Sequence, residues 1–435
     1  MGMTVGKFFV QNFGCRATQA DGAALETSLT ARGLSQTGER AAADLVVLNT
    51  CTVTVAADDD VRQTIRRVHR ENPTARILVT GCYAQRAPEE LAAMPGVEWV
   101  VGNSHKHAIP ELIALTPAGA PYHGGVHVGD IFAQQTFLSA PVEDAGGDRT
   151  RPNLKIQDGC NNRCSFCIIP FVRGRSRGMA ADEAVAQIGR LALRYREVVL
   201  TGINLGRWGR EPGSTMRLAG LLRRVLDETS IERLRLSSVE PMDFSDELLE
   251  LMAANSRIAP HVHAPLQSGS DRILRLMHRK YRPRHYADRV LKARTLMPDA
   301  AIGADVMVGF PGETDADFEE SRQFIEQLPF TYLHVFTYSA RPGTPAAASP
   351  LMVPMPVRKE RNRVLRELAA RKNLEFRERM VGRTLSAVTL HEPGAALTGN
   401  YLKVELATLR EANAMVDLRI GGVTRDGVRE AEPLV

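Results

Sequence analysis

The sequence predicts an α/β protein in three parts: an N-terminal parallel sheet flanked by helices, a central series of βα units, and a small C-terminal β domain. Three observations predict it. The first hundred residues repeat one pattern of apolar strand, short turn and amphipathic helix. The pattern returns after residue 154 and yields six strand segments separated by helical stretches. The last fifty residues break instead into short β-like runs with glycine between them.

In the first part, strands are predicted at residues 7–12, 45–49, 76–80 and 97–101, with helices near 20–31, 57–70 and 88–94. Such alternation builds a parallel sheet with helices on both faces. Each of the first three strands runs into a cysteine: NFGC at Cys15, LNTC at Cys51 and TGC at Cys82. The C-terminal strand ends of an open parallel sheet share one ligand-binding edge, so three thiols distant in sequence are expected to converge. A buried core residue is the plainer reading of any one cysteine, but it gives no reason for all three to hold the same station. No Gly-x-Gly-x-x-Gly follows the first strand, which argues against a dinucleotide fold of the usual kind. Residues 117–151 lose periodicity and gain Gly, Pro, His and acidic residues, and read as a linker; His123 and His127 read as exposed linker histidines, with metal ligation the other reading.

The central part opens on a short strand at 154–157, broken by Asp158-Gly159, so that Cys160, Cys164 and Cys167 fall on the loop at its C-terminal end. The spacing Cys-x3-Cys-x2-Cys wraps three sulfurs around one compact centre and supplies no fourth ligand. Closed zinc sites take four ligands, commonly from paired Cys-x2-Cys knuckles. Three soft thiolates suit a 4Fe-4S cluster with one iron left free. Further strands are predicted at 197–201, 233–237, 261–265, 301–308 and 332–338, making six parallel strands, short of the eight of a complete barrel.

At 435 residues, 44% hydrophobic and 24% charged, the chain has the composition of an ordinary globular protein of two or three domains. No apolar h-region or run of about 18 apolar residues occurs, so the expectation is a cytoplasmic protein with no membrane partner. There thiols stay reduced and serve metals or catalysis. A net charge of +5 argues only weakly for an anionic partner.

The run QDGCNNRCSFCIIPFVRGRSRG resembles the radical S-adenosylmethionine (SAM) enzymes, and within them the methylthiotransferase branch. NTCTVT, VTGCYAQRAPEEL and the basic helix at 62–70 resemble that family's N-terminal domain. TGINLGRWG, SSVEP, APLQSGSD, VGFPGET and YSARPGTPA match its pattern after successive strands. VTGCYAQ, HAPLQSGSDRILRLMHRKY and VFTYSARPGTPA are similar to the subgroup acting on threonylcarbamoyladenosine in tRNA. One departure follows Cys15, where RATQADGAALE stands in place of the family's Asn and acidic residue.

The resemblance implies an N-terminal α/β domain over residues 1–120, a partial (β/α)6 barrel with its basic helix over 146–378, and a TRAM-like RNA-binding β-barrel over 379–435. It implies two 4Fe-4S clusters, one on Cys160, Cys164 and Cys167 that chelates SAM, and one on Cys15, Cys51 and Cys82 that holds or supplies sulfur. One electron would cleave SAM to methionine and a 5′-deoxyadenosyl radical, and a second SAM would give the methyl group. Adenine C2 carries no acidic proton, so a protein base cannot remove it, and the cofactor must carry the difficult step. No side chain is assigned a catalytic role. Residues suited to bind SAM are Thr201 and Gly202 through carbonyls, Glu240, Gln267 and Ser268 through polar groups, and one of Arg173, Arg175 and Arg177, with Arg177 preferred, on the carboxylate. A solvated basic loop or RNA backbone contact is the other reading of the three arginines, and turn or cap chemistry that of Asp305 and Gly309 to Gly312.

A cation-dense helix is predicted over 357–383. Its Arg358, Lys359, Arg363, Arg371 and Lys372 are assigned to RNA phosphate, against the alternative of a salt-bridged exposed helix. Strands are predicted at 385–390, 401–406 and 414–420, where Tyr401 is the sole aromatic available for base stacking. The expected reaction is methylthiolation of threonylcarbamoyladenosine at position 37 of tRNA by a monomer, fed by an external one-electron donor and a sulfur source. Methylthiolation of isopentenyladenosine or of a ribosomal-protein aspartate is the alternative with the same cysteine plan. An iron–sulfur RNA-binding redox sensor is the alternative without catalysis.

Overall fold

The computed structural model describes residues 6–114, 125–133, 137 and 150–432, so His123 lies outside the described residues. Strands β1 (Lys7–Asn12), β2 (Ser35–Gln36), β3 (Leu45–Thr50), β4 (Arg76–Gly81), β5 (Val97–Gly102) and β6 (Gly125–His127) form one sheet in the order β2-β1-β3-β4-β5-β6, every pair parallel. β3 is buried along its whole length, as a strand covered on both faces must be. Val46 and Leu48 pack with Val61, Ile65 and Val68 of the helix Val55–Glu71. Leu45 and Val47 pack on the other face with Leu25 and Leu29 of the helix Arg16–Thr30. The strand order reverses between β1 and β3, and the crevice at their carboxyl ends is the binding edge of such a sheet.

β6 corrects the sequence reading. Part of the stretch read as linker pairs with β5, Gly125 opposite Trp99, and His127 is a half-buried strand residue. Three residues are too few for periodicity to register.

The central strands are β7 (Asn153–Asp158), β8 (Arg177–Gly178), β9 (Glu197–Gly202), β10 (Arg233–Leu236), β11 (His261–His263), β12 (Ala301–Val308) and β13 (Tyr332–Thr337). One sheet runs β10-β9-β7-β8 and the other β11-β12-β13, joined by a parallel bridge from Leu234 to Ile258. All six expected parallel strands are present; β8 is an added antiparallel partner of β7. Leu154, Ile156, Leu200, Leu236, Val306 and Val335 turn outward into the core shared with the helices. Strand alternation therefore leaves Lys155, Gln157, Thr201, Arg235, Asp305 and His334 on the inner face. Asp305 sits mid-strand in β12, not at a turn or cap.

A closed barrel of β14 (Thr384–Thr389), β15 (Ala395–Thr398), β16 (Lys403–Glu405), β17 (Met415–Val423) and β18 (Val428–Glu430) completes the chain in the order β14-β15-β16-β18-β17. The helix Met355–Arg379 joins it to the central body, placing Leu365 and Leu368 in the central core and Phe376 in the barrel core. The barrel docks at the N-terminal ends of the central strands. Fully buried Arg235 donates to the carbonyls of Thr398 (3.0 Å) and Gly399 (2.9 Å) and pairs with Glu197 at 2.7 Å. Tyr401 stacks on His261 with ring centroids 4.5 Å apart, and Arg16 of the N-terminal part donates to its hydroxyl over 3.0 Å. All three parts meet there. Among the described residues no helix is long and apolar enough to cross a membrane.

Candidate active site

Cys51 and Cys82 follow β3 and β4 directly and Cys15 follows β1 after two intervening residues, all at the edge where strand order reverses. Gly14, at φ +88°, brings the first two turns so close that a Cβ there would stand 2.8 Å from Cys51 Sγ, a place only glycine can fill. Burial pushes the Cys51 thiol up to about 12, and the nearby Cys82 and Cys15 sulfurs add to the shift. N–H groups face these sulfurs: Asn103 Nδ2 donates to Cys82 Sγ over 3.6 Å and Arg173 Nε over 3.3 Å. The segment that departs from the family pattern still serves the site. Thr18 Oγ1 lies 3.4 Å from Cys15 Sγ, and Asp21 is an acid buried behind it.

The second trio is shaped by the backbone around Gly159, at φ +70°, where a Cβ would strike the Arg175 carbonyl at 2.0 Å. Cys160 N donates to Gly174 O over 3.0 Å, closing the loop. The Gln157 amide donates to the carbonyls of Asp158 (2.9 Å) and Gly159 (2.8 Å) and accepts from Asn204 N at 2.6 Å. Asn162 N donates to Cys160 Sγ over 3.4 Å, and Arg279 to Cys164 Sγ over 3.3 Å. Burial pushes the Cys167 thiol up to about 12, with Cys164 and Cys160 adding to it.

These donor sets fit iron–sulfur clusters. A closed zinc site takes four protein ligands, whereas each trio here offers three thiols. Three thiolates ringed by N–H donors are what a cubane cluster takes. Arg173 opposes the upward shift at Cys51 and Arg279 that at Cys167, and a bound metal would reverse it.

The two loops touch. Cys82 packs against Ile168, next to Cys167 in the chain, and Val172 of the helix Ile169–Arg173, and Asn103 also donates to Val172 O over 2.9 Å. Arg173, 1% exposed, joins them: besides Cys82 it donates to Asp158 Oδ1 and Asp21 Oδ2, each at 3.0 Å. Lys106 and Lys155 pair with Asp21 at 2.9 and 2.5 Å. Burial opposes ionisation of Asp21, but Lys106, Lys155 and Arg173 outweigh it and hold the carboxyl well below the usual range.

Of the residues assigned to SAM, Thr201 and Gly202 end β9 beside the cysteine loop, Gly202 paired with Gln157. Glu240 takes the Arg279 guanidinium and so holds it against Cys164. Gln267 is partly exposed, at φ +65°, its backbone bonded on both sides to β12. Ser268 is buried, its hydroxyl engaged by Ser321 Oγ (3.0 Å) and Ser270 N (3.1 Å), and so turned into the wall. Arg177, assigned to the SAM carboxylate, donates to the carbonyls of Arg173 (2.8 Å) and Arg175 (2.9 Å) and so braces the loop. Arg173 is likewise spent inside the fold. Gly309 and Gly312 do form a positive-φ turn, closed by Gly309 N donating to Glu313 Oε1 over 2.9 Å.

The helix Met355–Arg379 is largely self-neutralised. Arg363 pairs with Glu360 and Glu367, and Arg371 with Glu326 and Glu375. Arg358 donates to the carbonyls of Val353 and Tyr338. Lys372 is buried, donating to the carbonyls of Glu326 (2.7 Å) and Leu328 (2.9 Å), so its assignment to phosphate is corrected. Lys359 is exposed. Sequence reasoning missed Arg279, Asn103 and Gln157, whose spacing to the cysteines carries no regular pattern.

Residues 7–102 match an uncharacterized protein family, UPF0004, and residues 154–325 match the Radical SAM superfamily. The chain is 38% identical to the threonylcarbamoyladenosine tRNA methylthiotransferase MtaB of Aquifex aeolicus over 95% of this chain and 100% of that one. It is 37% identical to the MtaB of Bacillus subtilis, over 90% of this chain and 88% of that one. A tRNA-2-methylthio-N(6)-dimethylallyladenosine synthase of Pelotomaculum thermopropionicum is 34% identical over 87% and 85% of the two chains. In fold the chain is similar to the radical SAM methyltransferase TsrM of Kitasatospora setae, with a TM-score of 0.58 at 17% identity over 79% of this chain and 75% of that one. The cysteine loop, the parallel barrel strands and identity at this level over almost the whole length place the chain in the radical SAM tRNA methylthiotransferase family, transferases that use SAM and a 4Fe-4S cluster.

Proposed function

We propose that this protein adds a methylthio group to C2 of N6-threonylcarbamoyladenosine at position 37 of tRNA, in the cytoplasm, as a monomer with two 4Fe-4S clusters. The observation that carries the reading is the meeting of two three-cysteine loops through Cys82, Val172 and Arg173, in a chain most of whose curated relatives named above act on that nucleoside. When bound, the clusters and SAM supply the radical and sulfur chemistry that an unactivated C–H requires.

The chain's own residues position these groups. Cys160, Cys164 and Cys167 hold one cluster, and Cys15, Cys51 and Cys82 the other. Arg279 and Arg173 each lend an N–H to a ligating sulfur while bonded to a carboxylate, Glu240 or Asp158. Thr201, Gly202, Glu240 and Gln267 line the strand ends where SAM binds. Exposed Arg163 and Arg175 on the cysteine loop, with Lys280 and Lys359, meet RNA phosphate. Arg363 and Arg371 can exchange exposed glutamates for phosphate at small cost. A one-electron donor and a sulfur source complete the turnover.

The test uses oxygen-free, reconstituted enzyme with SAM, a reductant and tRNA bearing threonylcarbamoyladenosine, read by nucleoside mass spectrometry. The expected product is the 2-methylthio derivative, with none on tRNA bearing isopentenyladenosine. Product on the isopentenyl substrate alone overturns the substrate assignment. SAM cleavage without any RNA product overturns the reaction. Cys51→Ser should keep SAM cleavage and lose sulfur insertion; loss of both contradicts the division between clusters.

A further inference from the structure

A third group of ligating side chains lies apart from both cysteine trios, on the inner face of β11, β12 and β13. His263 Nε2 and His334 Nδ1 each stand 3.4 Å from the same oxygen, Asp305 Oδ1. Among the described residues no other three His, Cys, Asp or Glu side chains bring their ligand atoms within 4.8 Å of one another. Both contacts are within ion-pair reach but longer than a hydrogen-bonded pair. Charge-assisted N–H···O bonds run about 2.7–2.9 Å, and His263 Nε2, on a residue 8% exposed, makes no hydrogen bond of ordinary length and angle. A separation of 3.4 Å is that expected between two ligands each about 2.0–2.1 Å from one tetrahedral ion.

Both imidazoles are held in place before any ion arrives. Ser238 Oγ lies 2.7 Å from His263 Nδ1, leaving Nε2 to face Asp305. The rings of His263 and His334 both pack on Tyr332, with centroids 5.8 and 5.4 Å away, and the Tyr332 hydroxyl is fixed 2.7 Å from His261 Nε2. The Asp305 backbone carbonyl accepts from Leu266 N (3.1 Å) and Gln267 N (2.8 Å), which locks the strand position.

We infer that His263, Asp305 and His334 form a binding site for a divalent transition ion of the zinc or ferrous class, distinct from both clusters. Two imidazoles and one carboxylate suit these ions, whereas Mg2+ and Ca2+ take oxygen ligands. The His334 side chain is 52% exposed, so the remaining coordination positions open toward solvent on the inner face of the barrel.

The test uses the full, untagged chain with its clusters reconstituted, dialysed oxygen-free against Zn2+ and washed, with zinc, iron and sulfide counted. The parent should hold one zinc beyond its cluster metals. His334→Ala and Asp305→Asn should hold less than a tenth of that, with sulfide content, visible absorption and circular dichroism unchanged. No zinc in the parent at tenfold molar excess overturns the site, as does full zinc in both variants. Zinc that enters only as sulfide is lost marks the cysteines and overturns it too.

Discussion

Arg173 shows how one side chain can serve two loops. Its guanidinium has Cys82 on one side and Asp158, which directly precedes the Gly159-Cys160 turn, on another. The third contact, Asp21, comes from the N-terminal helix. Arg173→Met would leave two buried carboxylates short of a cation, and breaking a buried pair in this way costs about 3–5 kcal/mol. Chemical unfolding of the cluster-free chain should show a loss of that size, with Arg173→Lys recovering part of it. The cysteines themselves were legible from spacing and station. Arg173 and Arg279 were not, because their sulfur partners lie 91 and 115 positions away and a lone arginine carries no periodic signal.

Elements were legible in proportion to their length. β1, β3, β4, β5 and β12 lie where alternation puts them, whereas β2, β6 and β8 have two or three residues each and leave no pattern. The helix Met355–Arg379 illustrates what composition hides: its cations look alike in sequence, but their surroundings differ. Lys372→Met should cost about 1–3 kcal/mol in chemical unfolding, since two buried carbonyls lose their donor, and should leave the salt slope of tRNA binding unchanged. Arg363→Ala should change stability by less than about 1 kcal/mol, as exposed pairs do. The helix Asp315–Gln327 begins with a capping box in which Thr314 Oγ1 accepts from Asp317 N over 3.2 Å. Thr314→Ala should lower stability by about 1 kcal/mol, measured in the same assay.

The assembly of the three parts depends on a charge cluster at the N-terminal ends of the central strands. Glu197 is fully buried among Arg235, Arg151 and Arg233. Burial raises its pKa, but Arg235 and its neighbours outweigh that and bring it from 4.5 down to about 2. A carboxyl depressed on folding stabilises the native state above its unfolded pKa, and that stability is lost as pH falls toward the folded value. Acid should therefore weaken the docking of the C-terminal barrel between about pH 4.5 and 2, by on the order of 3 kcal/mol. Glu197→Gln should flatten that limb of urea unfolding measured against pH. By itself the sequence determined the secondary-structure plan and the six cysteines, because strand period, turn chemistry and ligand spacing are properties of neighbours along the chain. Only the tertiary structure decided which cations are spent inside the fold. It alone revealed that Tyr401 anchors the barrel and that His263, Asp305 and His334 face one point. Those facts join residues dozens to hundreds of positions apart, and only packing makes them neighbours.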